Sequence, residues 1–313
     1  MFQKLKHIAE RNKINPAKLS LLCITLPLFL LFMAFTYVPL LGWSVAFVDY
    51  KPGRSIFQSS FAGLFNFTKI SYNMKEFIMV MRNTLVLGAL GIAMTVVPLA
   101  LAVLLNELRS KKYKRIVQTV ASLPNFISWV IIYGLVFALF SVEGGVVNNI
   151  LVKLGLMERS FDLLGSSSSV WGFQTGLSVW KTAGYSAIIY LGAIAGIDLE
   201  QYDAARVDGA NMFREIRHIT LPGILPTYAI ILILSVGNIL SSGFDQYYIF
   251  HNALTHETIE VLDTFTYRLG IERFDFSFAT AVGMFKSVTS IILVSVSAFI
   301  VKKTTGMGIF SRN

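Results

Sequence analysis

Two lysines, Lys181 and Lys286, stand midway along stretches of otherwise apolar residues. A charge at the centre of a membrane helix costs about 2.5 to 3.5 kcal/mol on insertion scales, so such residues tend to face a water-filled path rather than lipid. Hydroxyls and amides accompany them: Ser178 and Thr182 near Lys181, Ser287 and Thr289 near Lys286, and Asn238, Ser241, Ser242 and Asp245 in one run. Trp180, Tyr185, Tyr247 and Tyr248 add aromatic faces. The chemistry this set supports is reversible binding through hydrogen bonds and ring contacts. Local uses compete with it. Lys181 can pair with an acid or extend toward the membrane surface, and each hydroxyl can bond a carbonyl of its own helix.

Catalysis has little to work with. A membrane enzyme needs convergent acids, or a histidine with a nucleophile, inside or beside its spans. The four histidines, at 7, 218, 251 and 256, are scattered, and His251 and His256 stand five residues apart rather than the four of helical metal ligands. Cys23 is the sole cysteine, which excludes a disulfide framework and a thiolate metal site. No G-x-x-x-x-G-K-[ST] loop is present, so the chain has no phosphate loop of that kind to cradle ATP.

The elements that must position these residues are membrane helices. Of 313 residues 54% are hydrophobic and only 14% are charged, against about 25% in an ordinary soluble domain. Six apolar stretches are long enough to cross a bilayer: Leu19 to Phe47, Asn83 to Leu105, Ile116 to Val142, Val170 to Ile197, Ile219 to Phe244 and Phe276 to Val301. The fold class is therefore all-α and polytopic, with one membrane domain over 19–302 between tails at 1–18 and 303–313. The net charge of +9 comes from Lys and Arg that flank the spans, an arrangement that fits membrane orientation and not nucleic acid.

Six spans place both termini on one side. The connections of that side, including 106–115 and 198–218, carry sixteen Lys and Arg against eight on the other. The positive-inside rule makes the richer side cytoplasmic. Within the fourth span, Gly172 with Gly176 and Gly192 with Gly196 have GxxxG spacing and are expected to meet different neighbouring helices.

The insert 198–222, on the basic side, is polar where its flanks are apolar. Asp203-Ala204-Ala205 is followed after three residues by Gly209, and after nine more by Ile219-Thr220-Leu221-Pro222. The alanines favour a thin helix, Gly209 permits a bend or a close approach, and Pro222 suits the first turn of the next helix. Val207, Met212, Phe213 and Ile216 stud the insert and need burial on lipid, on the protein's own helix ends or in a partner.

This pattern resembles the EAA loop of the membrane-spanning subunits of ATP-binding-cassette importers. Asp208-Gly209-Ala210 with Pro226 looks like the version in the carbohydrate-uptake branch, and the resemblance runs over 83–302 in helix order and loop length. It departs at Asp203, where the family usually has Glu, one methylene longer. The resemblance implies a six-helix type I importer permease fold in a bacterial cell membrane. It also implies coupling to two separate ATPase subunits through Asp203, Ala204, Ala205, Asp208, Gly209, Ala210, Phe213, Ile219, Leu221 and Pro222. ATP and Mg would be bound by those partners, with no cofactor in this chain. A second, unlike permease subunit and an external sugar-binding protein complete the implied assembly.

The stretch Tyr37-Val38-Pro39-Leu40-Leu41-Gly42-Trp43, with Ala46 to Tyr50, looks like the permeases that handle oligosaccharides released from polysaccharides. For such a substrate the polar set of the opening paragraph becomes a candidate path. Two cations in that path would favour an acidic sugar. The rival is a stand-alone ion-coupled sugar transporter, which usually shows acids at mid-membrane and inverted repeats. It leaves the insert without a purpose.

Overall fold

The computed structural model describes residues 16–305 except Ser242, so most of both expected tails and that one candidate path residue lie outside the described residues. Helices dominate, and the single isolated bridge among the described residues is the antiparallel pair Val48 with Phe61. Helix α1 (Pro16–Tyr37) runs on as a 3-10 stretch, Val38–Phe47. After a short α2 (Phe65–Tyr72), α3 (Met74–Ala93) and α4 (Val96–Asn106) form the second span. The third consists of α5 (Lys111–Ser122), a 3-10 turn at Leu123–Phe126 and α6 (Trp129–Phe140). Helix α7 (Val146–Lys153) leads to the long α8 (Val170–Ala195). The insert holds α9 (Leu199–Val207) and α10 (Met212–Glu215), which passes through a π turn into α11 (Leu221–Gly237). Three short helices, α12 (Phe244–Phe250), α13 (His256–Ile259) and α14 (Leu262–Tyr267), precede the last span, α15 (Phe276–Thr305).

Among the described residues, four helical segments are long and apolar enough to cross a membrane as they stand, and up to six spans result when each bent pair is counted as one. Two expected spans shift. The second span starts at Met74, not Asn83, and the fifth covers Met212–Gly237, not 219–244. A backbone turn at Asn238–Leu240 and the left-handed Gly243, at φ +89°, end the fifth helix before Phe244. Asn83 is fully buried inside the second span because its amide donates to the carbonyls of Glu257 and Glu260, both at 3.0 Å.

The third span is not the single helix expected from 116 to 142; it bends by 99°. Pro124 removes a backbone donor, and Ser128 restarts the helix by accepting from the Ile131 N–H at 3.4 Å. The corner of this bend packs on α8, which also touches α3, α4 and α11. One cluster of buried side chains joins Ala102, Val103, Ala187, Tyr190, Ile194 and Ile224 across α4, α8 and α11. A second unites Phe77, Val80, Phe265, Phe278 and Val282 at the other end of the bundle.

Among the described residues of this chain, the GxxxG glycines make no close approach to another helix. A methyl group added at Gly172, Gly176 or Gly192 would meet nothing within 4 Å, and at Gly196 only carbonyls of its own helix end at 3.4 and 3.9 Å. The close approach is at Gly184, where a Cβ would collide with the carbonyl of Ala121 at the end of α5. Backbone cannot yield there as a side chain would. Gly184→Val should therefore destabilise the detergent-purified protein by about 1 to 3 kcal/mol or more, the range for overpacking, seen as a lower thermal unfolding midpoint. Gly176→Ala should leave that midpoint unchanged.

Candidate functional site: a surface insert and two polar clefts

The insert begins where α8 turns by 71° into α9. The Asp198 carboxylate caps α9 by accepting from the Glu200 N–H at 3.0 Å. Gly209 ends it at φ +75°, a left-handed conformation suited to glycine, while the Ala210 N–H returns to the Ala205 carbonyl at 2.9 Å. Asn211 then caps α10 through the Arg214 N–H at 3.0 Å. Arg206 ties the two helices together, with Nε donating to Glu215 Oε1 at 3.1 Å and Nη1 to Asp203 Oδ1 at 3.4 Å. A second tie joins Tyr202 Oη and the buried Thr220 Oγ1 at 2.9 Å. These bonds hold α9 against the start of the fifth span.

Its apolar studs are not all covered. Ile216 packs against the α4, α8 and α11 cluster, but Val207 is 88% exposed, Phe213 67% and Met212 57%. Asp203 shares a groove of about 650 Å³ with Arg206, Met212 and Glu215, and the far wall of this groove is the 106–109 turn. Ala205, Asp208, Ala210 and Ile219 line a smaller hollow of about 280 Å³. Ala204, Gly209, Phe213, Leu221 and Pro222 are exposed around these two depressions.

Inside the bundle, Ser178, Thr182, Asn238, Ser241 and Tyr247 come together on one cavity of about 250 Å³. Thr95, Thr175, Ser186 and Ser235 complete its polar lining and were not singled out from sequence. A legible signal existed. Thr175, Ser178, Thr182 and Ser186 follow the i, i+3, i+7, i+11 spacing of a single helix stripe. Thr175 is 8% exposed, and its buried hydroxyl has no hydrogen-bond partner among the described residues. Thr182 donates to the Ser178 carbonyl and Ser235 to that of Ile231, both at 2.8 Å, so these hydroxyls turn acceptor lone pairs to the cavity.

Asn238 and Ser241 also line an adjoining cleft of about 680 Å³, with Lys286 and Ser287. Lys286 is not a free cation there: its Nζ is paired with Asp263. Five other candidates lie outside both clefts. Trp180 and Tyr185 are half-exposed on α8, and Tyr185 meets Phe126 edge-on at 6.3 Å. Tyr248 stacks on Phe244 at 4.9 Å, and Asp245 is exposed beside it. Lys181 is buried elsewhere.

Comparison with known proteins fits this geometry. Residues 88–306 match the family described as binding-protein-dependent transport system inner membrane component. The chain belongs to that family. Protein LplB of Bacillus subtilis (strain 168) is 39% identical over 92% of this chain and 90% of its own length. The polygalacturonan/rhamnogalacturonan transport system permease protein YteP of the same organism is 39% identical over 99% and 96%. Among solved structures, a bacterial ABC transporter involved in the import of the acidic polysaccharide alginate superposes with a TM-score of 0.82 at 34% identity, covering 93% of this chain and 97% of that one.

In this inner membrane component, Lys181 serves the fold. Its ammonium donates to the carbonyls of Pro124, Asn125 and Ile127 at the corner of the third span, and it lies 5.5 Å from the centre of the Trp129 ring. These are carbonyls that the helix break releases, and no water reaches such groups in a bilayer core. Lys181→Met should lower stability by about 2 to 3 kcal/mol, the scale of hydrogen bonds to a charged group, read as a drop in the unfolding midpoint in detergent. A variant of normal stability with altered transport would instead place Lys181 on the substrate path.

Proposed function

We propose that this chain is one of two unlike membrane subunits of an ATP-driven importer that takes up oligosaccharides delivered by an external binding protein. The observation that carries the reading is the insert: a rigidly held helix pair that leaves Val207, Met212 and Phe213 exposed beside a groove containing Asp203. Burying each of these side chains is worth roughly 1.5 to 3 kcal/mol, before the cost of association. An ATPase subunit that covers them gains much of its docking energy from this patch. The ion-coupled alternative leaves the patch bare.

Two ATPase subunits bind ATP and Mg, and this chain contributes no catalytic group. Closure of the ATPase pair moves the insert, and the bundle changes its opening from one side to the other; only a difference in docking energy between the two states drives such a change. The excess of Lys and Arg on the insert's side makes that side, both tails included, cytoplasmic. Polysaccharide-derived substrates are supported by the names of the relatives and by the acceptor-rich cavity, while the pairing of Lys286 and the burial of Lys181 withdraw the argument for an acidic sugar from free cations.

Native mass spectrometry of the complex purified through a tag on this chain tests the reading. The wild type should carry a second permease and two ATPase copies. Phe213→Asp should reduce ATPase recovery at least tenfold without changing the unfolding midpoint of the membrane subunits. A wild-type chain that purifies alone, indifferent to Phe213→Asp, contradicts the proposal.

A further inference from the structure

The 680 Å³ cleft has a wall that the sequence did not announce. Trp43 belongs to the 3-10 extension of α1, more than 200 residues from Asp263 and Lys286, yet all three line this cleft. The position of the extension is fixed by buried bonds. Ser277, 1% exposed, donates from Oγ to the Val48 carbonyl at 2.8 Å and accepts from the Tyr50 N–H at 3.0 Å. Asn66, 2% exposed, donates to the carbonyls of Ala46 at 2.9 Å and Val48 at 3.1 Å. Tyr50 meets Phe276 edge-on at 5.9 Å. While α1 itself has no buried residues among its described side chains, the segment carrying Trp43 is docked on α15.

The polar side of the cleft has a definite hydrogen-bonding sense. Thr266 donates to the Leu262 carbonyl and Thr280 to that of Phe276, both at 2.7 Å, and Ser287 donates to Gly283 at 3.0 Å. Asn238 spends an N–H on the Leu234 carbonyl at 3.0 Å. With their hydroxyl hydrogens bonded to the backbone, Thr266, Thr280 and Ser287 offer acceptor lone pairs, while Asn238 offers its amide oxygen and one remaining N–H. Asp263 adds more acceptors, and Lys286 keeps two N–H donors once the ion pair has taken one. The pair has no net charge, and its side chains remain 21% and 20% exposed, within reach of a ligand. An acceptor-rich wall suits the O–H donors of a sugar. A carboxylate, which only accepts, would meet the Asp263 charge and the lone pairs, with the Lys286 charge already offset by Asp263.

Resting on the oligosaccharide reading above, we propose that this cleft seats an uncharged sugar ring. The indole face of Trp43 covers the ring, and Asp263 and Lys286 bond its hydroxyls. The volume falls within the roughly 300 to 1,000 Å³ of small-molecule sites. An acidic oligomer passes this position with an uncharged ring in the cleft, or passes it poorly.

The test uses the complete transporter, with its ATPase subunits and binding protein, in sealed vesicles. Initial ATP-dependent uptake is measured for maltotriose, arabinotriose, a rhamnogalacturonan tetrasaccharide and trigalacturonate. Trp43→Ala should cut import of the transported sugars at least tenfold, and Trp43→Phe should restore at least half of it. Asp263→Asn, which leaves Lys286 uncompensated, should move the trigalacturonate to neutral ratio at least tenfold toward the acid, and Lys286→Gln should move it the other way. Thermal midpoints exclude misfolding, and the Trp43 pair stands without the charge variants if those do not fold. Wild-type rates in Trp43→Ala, or a ratio unmoved by Asp263→Asn, overturn the proposal while leaving the import reading intact. A wild-type transporter that moves none of the sugars overturns the import reading and this proposal with it.

Discussion

Inside a bilayer no water relieves an unpaired peptide group, so every interruption of a spanning helix must be repaired by the protein itself. The rest of this structure depends on how one such interruption is repaired. The third span turns by 99° around Pro124, and the Lys181 ammonium gathers the carbonyls of Pro124, Asn125 and Ile127. One turn further along α8, Gly184 lets the backbone at Ala121 come against the helix. A charge and an absent side chain together bind the bent span to the helix that α3, α4 and α11 also share.

That central helix connects the two candidate sites. Its middle carries the Thr175, Ser178, Thr182 and Ser186 stripe that faces the inner cavity, and its end at Ala195 turns into α9. The insert thus adjoins, across the 71° bend between Ala195 and Leu199, the same helix that forms the cavity wall. The ties of Arg206 to Glu215 and of Tyr202 to Thr220 join α9 to the start of the fifth span, which supplies Ser235 and Asn238 to the same cavity. Insert and cavity are mechanically linked by two helices rather than by a loop.

Much of this was legible in the sequence where the information is local. The insert could be read because its alanines, Gly209 and Pro222 stand at fixed intervals within one short segment, and the spans could be read from unbroken apolar runs. Ser178, Thr182, Asn238, Ser241 and Tyr247 stood out because polar residues in such runs are costly, and the fold brings them to one cavity. What failed depends on partners far along the chain. Lys181 was assigned to a path because nothing near it in sequence reveals the carbonyls 54 to 57 residues away that take its charge. Asp263, in a polar connection, escaped notice for the same reason, and Trp43 was read only as part of the Tyr37 to Trp43 resemblance and not as a wall of the cleft. The GxxxG pairs misled because spacing says that backbones can approach, not that a neighbour is present.

On the proposed function, an ATP-binding subunit covers the exposed apolar face of the insert. A photo-crosslinking amino acid placed singly at Val207, Phe213 and, as a lipid-facing control, Ile292 tests it most directly, with irradiation in intact membranes and identification of the joined species by mass spectrometry. Crosslinks from positions 207 and 213 to one polypeptide carrying a G-x-x-x-x-G-K-[ST] loop, and none to it from position 292, are the predicted result. Crosslinks from all three positions to lipid alone would contradict the account.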